Sequence, residues 1–80
     1  IDKAKFSIYP NPVTDILTIS FDEMTSGKID VLDEIGKEIS STEVLYQDTA
    51  LLNFSNLASG IYVLKITIGN QMFTEKVIKY

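Results

Sequence analysis

The sequence predicts an all-β fold, a small antiparallel β-sandwich, and three observations indicate it. Apolar and polar side chains alternate over most segments, as in Leu17, Ile19 and Phe21, which is the period of a strand with one buried face. All 4 glycines fall between these segments, where turns need them. No window shows the apolar spacing of an amphipathic helix.

Seven strands follow from this pattern when it is read along the chain. The first is short, because Pro10 and Pro12 fix φ, lack an N–H group and hold the preceding residues extended. The predicted strands span residues 6–9, 15–21, 28–33, 37–44, 49–54, 61–68 and 71–79. Turn signals about 8–12 residues apart are typical of a two-sheet Greek-key domain. We therefore expect a seven-stranded, immunoglobulin-like β-sandwich.

Specific residues predict the connections between the strands. Asp33 and Gly36 fit a type I turn in which the Asp33 carboxylate accepts backbone N–H groups. Gly69-Asn70 is a two-residue hairpin signal. Tyr62 follows a tight crossover, where its ring can be buried and its hydroxyl can return to nearby backbone, as in a tyrosine corner.

Composition excludes several classes of function. The 80 residues contain 11 acids and 7 bases, all of them lysine, for a net charge of −4, whereas nucleic-acid binding needs a clustered basic face. There is no histidine and no cysteine, so catalytic triads, imidazole acid–base chemistry and thiolate sites are unavailable. We predict no nucleic-acid partner, no cofactor and no enzymatic activity.

A calcium site and a sugar-binding platform are two further possibilities, and both have simpler structural explanations. Asp30, Asp33 and Glu34 lie close together but lack the ligand order of a calcium loop, so no metal or catalytic residue is predicted. The eight aromatic residues could form a platform for sugars. Most of them alternate as core residues do, and there is no tryptophan, which favours the core.

The chain also lacks signs of membrane insertion. No apolar run approaches the roughly 20 residues that span a bilayer, and no basic-then-apolar leader opens the chain. Because the sequence begins at Ile1, we expect a piece of a longer protein, in which residues 1–5 are the remnant of a linker and residues 6–80 form the domain. A passenger protein would precede it.

Four ordered blocks carry a family resemblance. They are Tyr9-Pro10-Asn11-Pro12 with Leu17 and Ile19, Leu32 to Ile39, Leu57 to Val63, and Glu75 to Lys79. Together they closely resemble the type A C-terminal sorting domain of the type IX secretion system. The pair Glu34-Ile35 departs from the commonest pattern, in which an apolar residue precedes Asn.

The resemblance implies a secretion signal rather than a catalyst. Such domains occur at the C-termini of exported proteins in certain Gram-negative bacteria. A signal peptide brings the passenger to the periplasm, and the domain then directs it across the outer membrane, to the cell surface or beyond, through a translocon and its shuttle. In many members a sortase-like peptidase removes the domain at the cell surface, by analogy near residues 1–5 here.

The resemblance also supplies candidate residues. The family motif maps onto Tyr9, Pro10, Asn11, Pro12, Asp33, Gly36, Lys37, Gly60 and Tyr62. The expected recognition strand is Lys76, Val77, Ile78 and Lys79, because no later segment covers it and an uncovered strand offers backbone groups to a partner. Such edge strands could also pair copies of the chain in a crystal.

One alternative of another class stays open at this point. A β-sandwich of this size could be a carbohydrate-binding or adhesive module appended to a secreted enzyme. Saccharide affinity of the isolated domain discriminates between the two interpretations.

Overall fold

The computed structural model describes residues 6–80, which form one antiparallel sheet of five strands. The strands are β1 (Phe6–Tyr9), β2 (Ile16–Leu32), β3 (Glu38–Asn53), β4 (Gly60–Ile68) and β5 (Gln71–Lys79). They follow the order β1-β2-β4-β5, while β3 pairs with the other edge of β2. The predicted all-β antiparallel fold is confirmed. The predicted linker, residues 1–5, lies outside the described residues.

The predicted number of seven strands is wrong, because two pairs of predicted strands are continuous. Segments 15–21 and 28–33 join in β2, and segments 37–44 and 49–54 join in β3. Thr25 pairs with Gln47 between them, with register shifts on both sides. Bulges bend paired strands without ending them, so polar residues expected in loops remain in the ladder. Two separate sheets, as in an immunoglobulin-like sandwich, are therefore not confirmed.

Both long strands bend at the level of this irregular pairing. Tyr46 has a positive φ of 53°, and its N–H donates to Ser26 Oγ over 3.2 Å. Gly27 lies inside β2, against the expectation that every glycine separates strands. A Cβ at Gly27 would overlap the carbonyl oxygen of Thr67, so glycine permits the close approach of β2 and β4 here.

The bend brings the inner faces of the two halves of the sheet together around one core. The buried apolar side chains are Val13, Leu17, Ile19, Phe21, Ile29, Val31, Val44, Ala50, Leu52, Phe54, Tyr62, Leu64, Ile66 and Val77. The rings of Phe54 and Tyr62 meet edge to face at 5.7 Å. The Tyr62 hydroxyl donates to the Ala58 carbonyl over 2.6 Å, which confirms the predicted return to backbone.

The two predicted turns are also confirmed. The backbone N–H groups of Ile35 and Lys37 donate to Asp33 Oδ1 over 3.1 and 2.9 Å. Gly36 donates to the Asp33 carbonyl over 3.0 Å and has a positive φ of 87°, which glycine tolerates. At the hairpin between β4 and β5, Ile68 pairs with Gln71 across a two-residue loop.

The segment that follows β1 crosses between the halves and closes the fold against β5. Val13 N–H donates to the Ile78 carbonyl over 2.8 Å, and Tyr80 N–H donates to the Val13 carbonyl over 3.0 Å. The Asn11 side chain continues the pattern, because Nδ2 donates to the Lys76 carbonyl and Oδ1 accepts from Ile78 N–H, each over 3.0 Å. We call residues 11–13 the edge clamp.

Substitution of Gly27 tests the close approach of β2 and β4. We expect Gly27→Ala to lower the free energy of unfolding by about 1–3 kcal/mol, because the new methyl group meets a backbone carbonyl that cannot rotate away. Urea denaturation measures this, with Glu43→Ala on the exposed side of β3 as the control. Equal stability of the two variants would contradict the packing described here.

Substitution of Asn11 tests the edge clamp. Asn11→Ala removes two hydrogen bonds worth roughly 0.5–1.5 kcal/mol each, so we expect a loss of about 1–3 kcal/mol in unfolding free energy. The control is Asn56→Ala in the connection between β3 and β4, since the Asn56 side chain makes no hydrogen bond within residues 6–80. The clamp would be unimportant if both variants unfolded at the same urea concentration.

Candidate functional site

The predicted recognition strand divides between the two faces of the sheet. Val77 is fully buried in the core, so its side chain is inaccessible to a partner. Lys76 and Ile78 lie on the opposite face and are exposed. Lys79 is half-buried, and its ammonium group donates to the carbonyl of Tyr80 over 2.9 Å. Of the four residues, Lys76 and Ile78 are therefore the ones whose side chains a partner could contact.

The outer face of the terminal hairpin is partly apolar around these two residues. Ile78 lies directly opposite Ile61, and Lys76 lies opposite Val63. Val63 in turn lies opposite Leu32 on β2. Directly opposed residues in an antiparallel sheet place their side chains on the same face, so β2, β4 and β5 together present an apolar strip that carries the Lys76 side chain.

The edge of β5 is covered at its C-terminal end, against the expectation that this strand is uncovered. The edge clamp comes from the other end of the domain and engages Lys76, Ile78 and Tyr80. The Lys76 carbonyl, both backbone groups of Ile78 and the Tyr80 N–H are therefore already paired. Recognition of this part of the strand would depend on side chains or on displacement of the clamp.

Three of the four motif blocks meet at β5. Asn11 in the first block bonds to Lys76 and Ile78. Gly60 and Tyr62 in the third block lie opposite Lys79 and Val77. The motif residues therefore surround the final strand and hold it in place, rather than forming a cleft for a small molecule.

The remaining motif residues have local structural roles. Tyr9 is half-exposed at the end of β1, and the bonds Tyr9-Pro10 and Asn11-Pro12 are both cis. Asp33, Gly36 and Lys37 form the turn between β2 and β3 through hydrogen bonds from backbone N–H groups to the Asp33 carboxylate and to backbone carbonyls.

Acidic side chains form no cluster suited to a metal ion within residues 6–80. Asp33 is occupied by its turn. Asp30 is buried on the outer face, with its side chain 8% exposed and Oδ1 lying 3.8 Å from Lys28 Nζ. Lys65 lies directly opposite on β4. Directly opposed residues share a face of the sheet, so Asp30 lies among lysines of the outer face rather than in a metal site.

Sequence reasoning missed the roles of two residues, Asn11 and Gln47, whose side chains cover strand edges. The hydrogen bonds of Asn11 span 65 and 67 residues along the chain, and no periodic pattern reports such a contact. Gln47 engages its own strand, since its Oε1 accepts from Leu45 N–H over 2.9 Å and its Nε2 donates to the Thr49 carbonyl over 3.1 Å. The one sign of the role of Asn11 in the sequence is its position between two prolines.

Helices long and apolar enough to cross a bilayer are absent from the part of the chain that the structure describes.

Known proteins resemble this chain over nearly its whole length. A family model described as the secretion system C-terminal sorting domain matches residues 7–80. The ulvan lyase NLR42 of Nonlabens ulvanivorans is 28% identical over 76 residues, which cover 94% of this chain and 14% of that protein. The chain thus spans a small part of the relative that it matches. It belongs to the C-terminal sorting domain family of the type IX secretion system.

Proposed function

We propose that this module directs an upstream passenger across the outer membrane by presenting its folded terminal hairpin, β4 and β5, to the type IX secretion machinery. The observation that carries the proposal is the family match, which extends over residues 7–80, nearly the whole chain. Members of this family act as sorting signals for export to the cell surface or the extracellular space. The passenger would pass through the periplasm first.

The geometry supports the terminal hairpin as the recognised part. The first and third blocks of the motif hold β5 in place, while Lys76 and Ile78 project from it into solvent. Exposed apolar area with a polar rim suits a protein partner, and Ile78 and Lys76 supply the two. The translocon, its shuttle and a sortase-like peptidase are the proposed partners, and the peptidase would act near residues 1–5.

A signal of this kind requires binding rather than catalysis, so we propose that the module is not itself an enzyme. The alternative, a carbohydrate-binding or adhesive module, receives less support from the placement of the aromatic rings. Five of the eight belong to the core or pack against it: Phe6, Phe21, Phe54, Tyr62 and Phe73. The exposed tyrosines lie on three different parts of the chain, at positions 9, 46 and 80, which is unlike a stacking platform.

A reporter experiment tests the function as a whole. A fluorescent protein carrying an N-terminal signal peptide and residues 1–80 at its C-terminus is expressed in a bacterium that has the type IX system. We expect the reporter at the cell surface or in the medium. The same reporter without residues 6–80, and the full fusion in a strain lacking the translocon, should both remain in the periplasm. Export that does not depend on the module would contradict the proposal.

A charge reversal tests the outer face of β5. We expect Lys76→Glu to reduce the exported fraction several-fold without lowering the melting temperature, because the side chain is exposed and makes no ion pair within residues 6–80. The double variant Thr49→Glu with Asn56→Asp changes the net charge equally at exposed positions away from β5 and is the matched control. Equal export of both variants would exclude the Lys76 side chain from recognition.

A further inference from the structure

The backbone edge of β5 has a covered part and an uncovered part. Hydrogen bonds to the edge clamp use Lys76, Ile78 and Tyr80, so even-numbered residues direct their backbone groups away from β4. Alternation along an antiparallel strand gives Met72 and Thr74 the same direction. No strand among residues 6–80 pairs with β5 on that side. The uncovered part of the edge is therefore residues 72–74.

The neighbouring strand across this edge is β1, and it is too distant to pair. No Cα atom of β1 lies within 8 Å of a Cα atom of β5, whereas paired strands lie about 4.8 Å apart. The rings of Phe6 and Phe73 still meet on the core side, with centroids 5.4 Å apart. A strand inserted between β1 and β5 would hold these two strands about twice the pairing distance apart. Their Cα atoms are more than 8 Å apart, which is compatible with such an insertion.

A groove lies next to the uncovered part of the edge. A cavity of about 160 Å³ lies between β1 and β5 and is lined by Phe6, Ile8, Asn11, Glu75 and Lys76. Its apolar part comes from β1. Alternation along β5 places the Lys76 side chain on the outer face, opposite to that of Glu75, and the Glu75 carboxylate forms no ion pair within residues 6–80. The groove thus fits one long side chain with an aliphatic stem and a positive end, that is, Lys or Arg.

The other long edge, on β3, is poorly suited to pairing. Its middle is engaged by the Gln47 amide, its register is irregular, and it carries Glu38, Glu43 and Asp48. Bulges and charges of this kind discourage the addition of a strand.

We propose that an extended segment of a partner protein in the export machinery adds to the sheet at Met72–Thr74, between β5 and β1. The segment pairs with the outward backbone groups of Thr74 and places a Lys or Arg side chain in the groove beside Glu75. Asn11 ends the available edge and so fixes the register of the added segment. This inference rests on the proposed function, since the partner belongs to the machinery that reads the signal.

A proline at position 74 provides the first test. The Thr74 N–H points away from β4, so Thr74→Pro removes a donor to the partner without removing a bond of the β4–β5 ladder. Thr74→Ala keeps the N–H group and is the matched control. In the fluorescent fusion described above, we expect at least a tenfold loss of export for Thr74→Pro and wild-type export for Thr74→Ala. Thermal melting of the purified variants checks that both fold.

A second variant tests the same proposal if Thr74→Pro fails to fold. Glu75→Lys leaves the backbone unchanged and reverses the charge of the groove, so we expect it to reduce export several-fold. Glu43→Lys on β3 makes the same change in net charge at a distant exposed site and should export normally.

The outcomes separate this inference from the function on which it rests. A wild-type fusion that is not exported contradicts the proposed function. Normal export of a folded Thr74→Pro variant, or equal export of Glu75→Lys and Glu43→Lys, overturns the added strand alone. Sedimentation of the purified chain tests a different occupant, because a wild-type dimer that Thr74→Pro converts to monomer would show that a second copy fills the edge.

Discussion

The edge clamp is the contact on which the rest of the structure depends. A curled sheet ordered β1-β2-β4-β5 has terminal strands that must be held together if the core between its halves is to stay dry. The clamp does this with four hydrogen bonds, three to β5 and one from Tyr80 directly after it, and it inserts Val13, which is fully buried. Val77, the buried residue of the final strand, is thereby covered. The contacts that close the fold therefore also position β5, the strand proposed for recognition.

The use of an asparagine side chain in this contact has a chemical reason. Pro10 and Pro12 lack N–H groups, so the backbone on either side of Asn11 cannot donate to a ladder. A side-chain amide carries both a donor and an acceptor, and Asn11 uses them on two residues of β5 as a peptide group would. Gln47 covers part of the β3 edge in a similar way. Both amides protect strand edges that could otherwise pair with other chains, and they leave residues 72–74 accessible.

The sequence predicted the strands and turns that depend on local patterns, but not the features that depend on contacts between residues far apart in the chain. Alternation located nearly every strand segment, and Asp33, Gly36 and Gly69 marked real turns. The polar residues at the bend in β2 resemble a loop in the sequence, yet pairing with β3 holds them in the sheet. For the candidate site, the final strand could be named in advance. Its division into a clamped and an open edge could not, since that depends on Asn11, 65 residues from its first partner.

This dependence of β5 on the opposite end of the domain determines which experiments can reveal recognition. A deletion of residues 76–80 removes Val77 from the core together with every hydrogen-bonded partner of the edge clamp. Such a truncated module would lose its fold and its signal together, and failed export would not distinguish between them. Substitutions at exposed positions such as Lys76 or Thr74 leave the clamp and the core in place. A loss of export can be assigned to the surface that a partner contacts only when the variant keeps its fold.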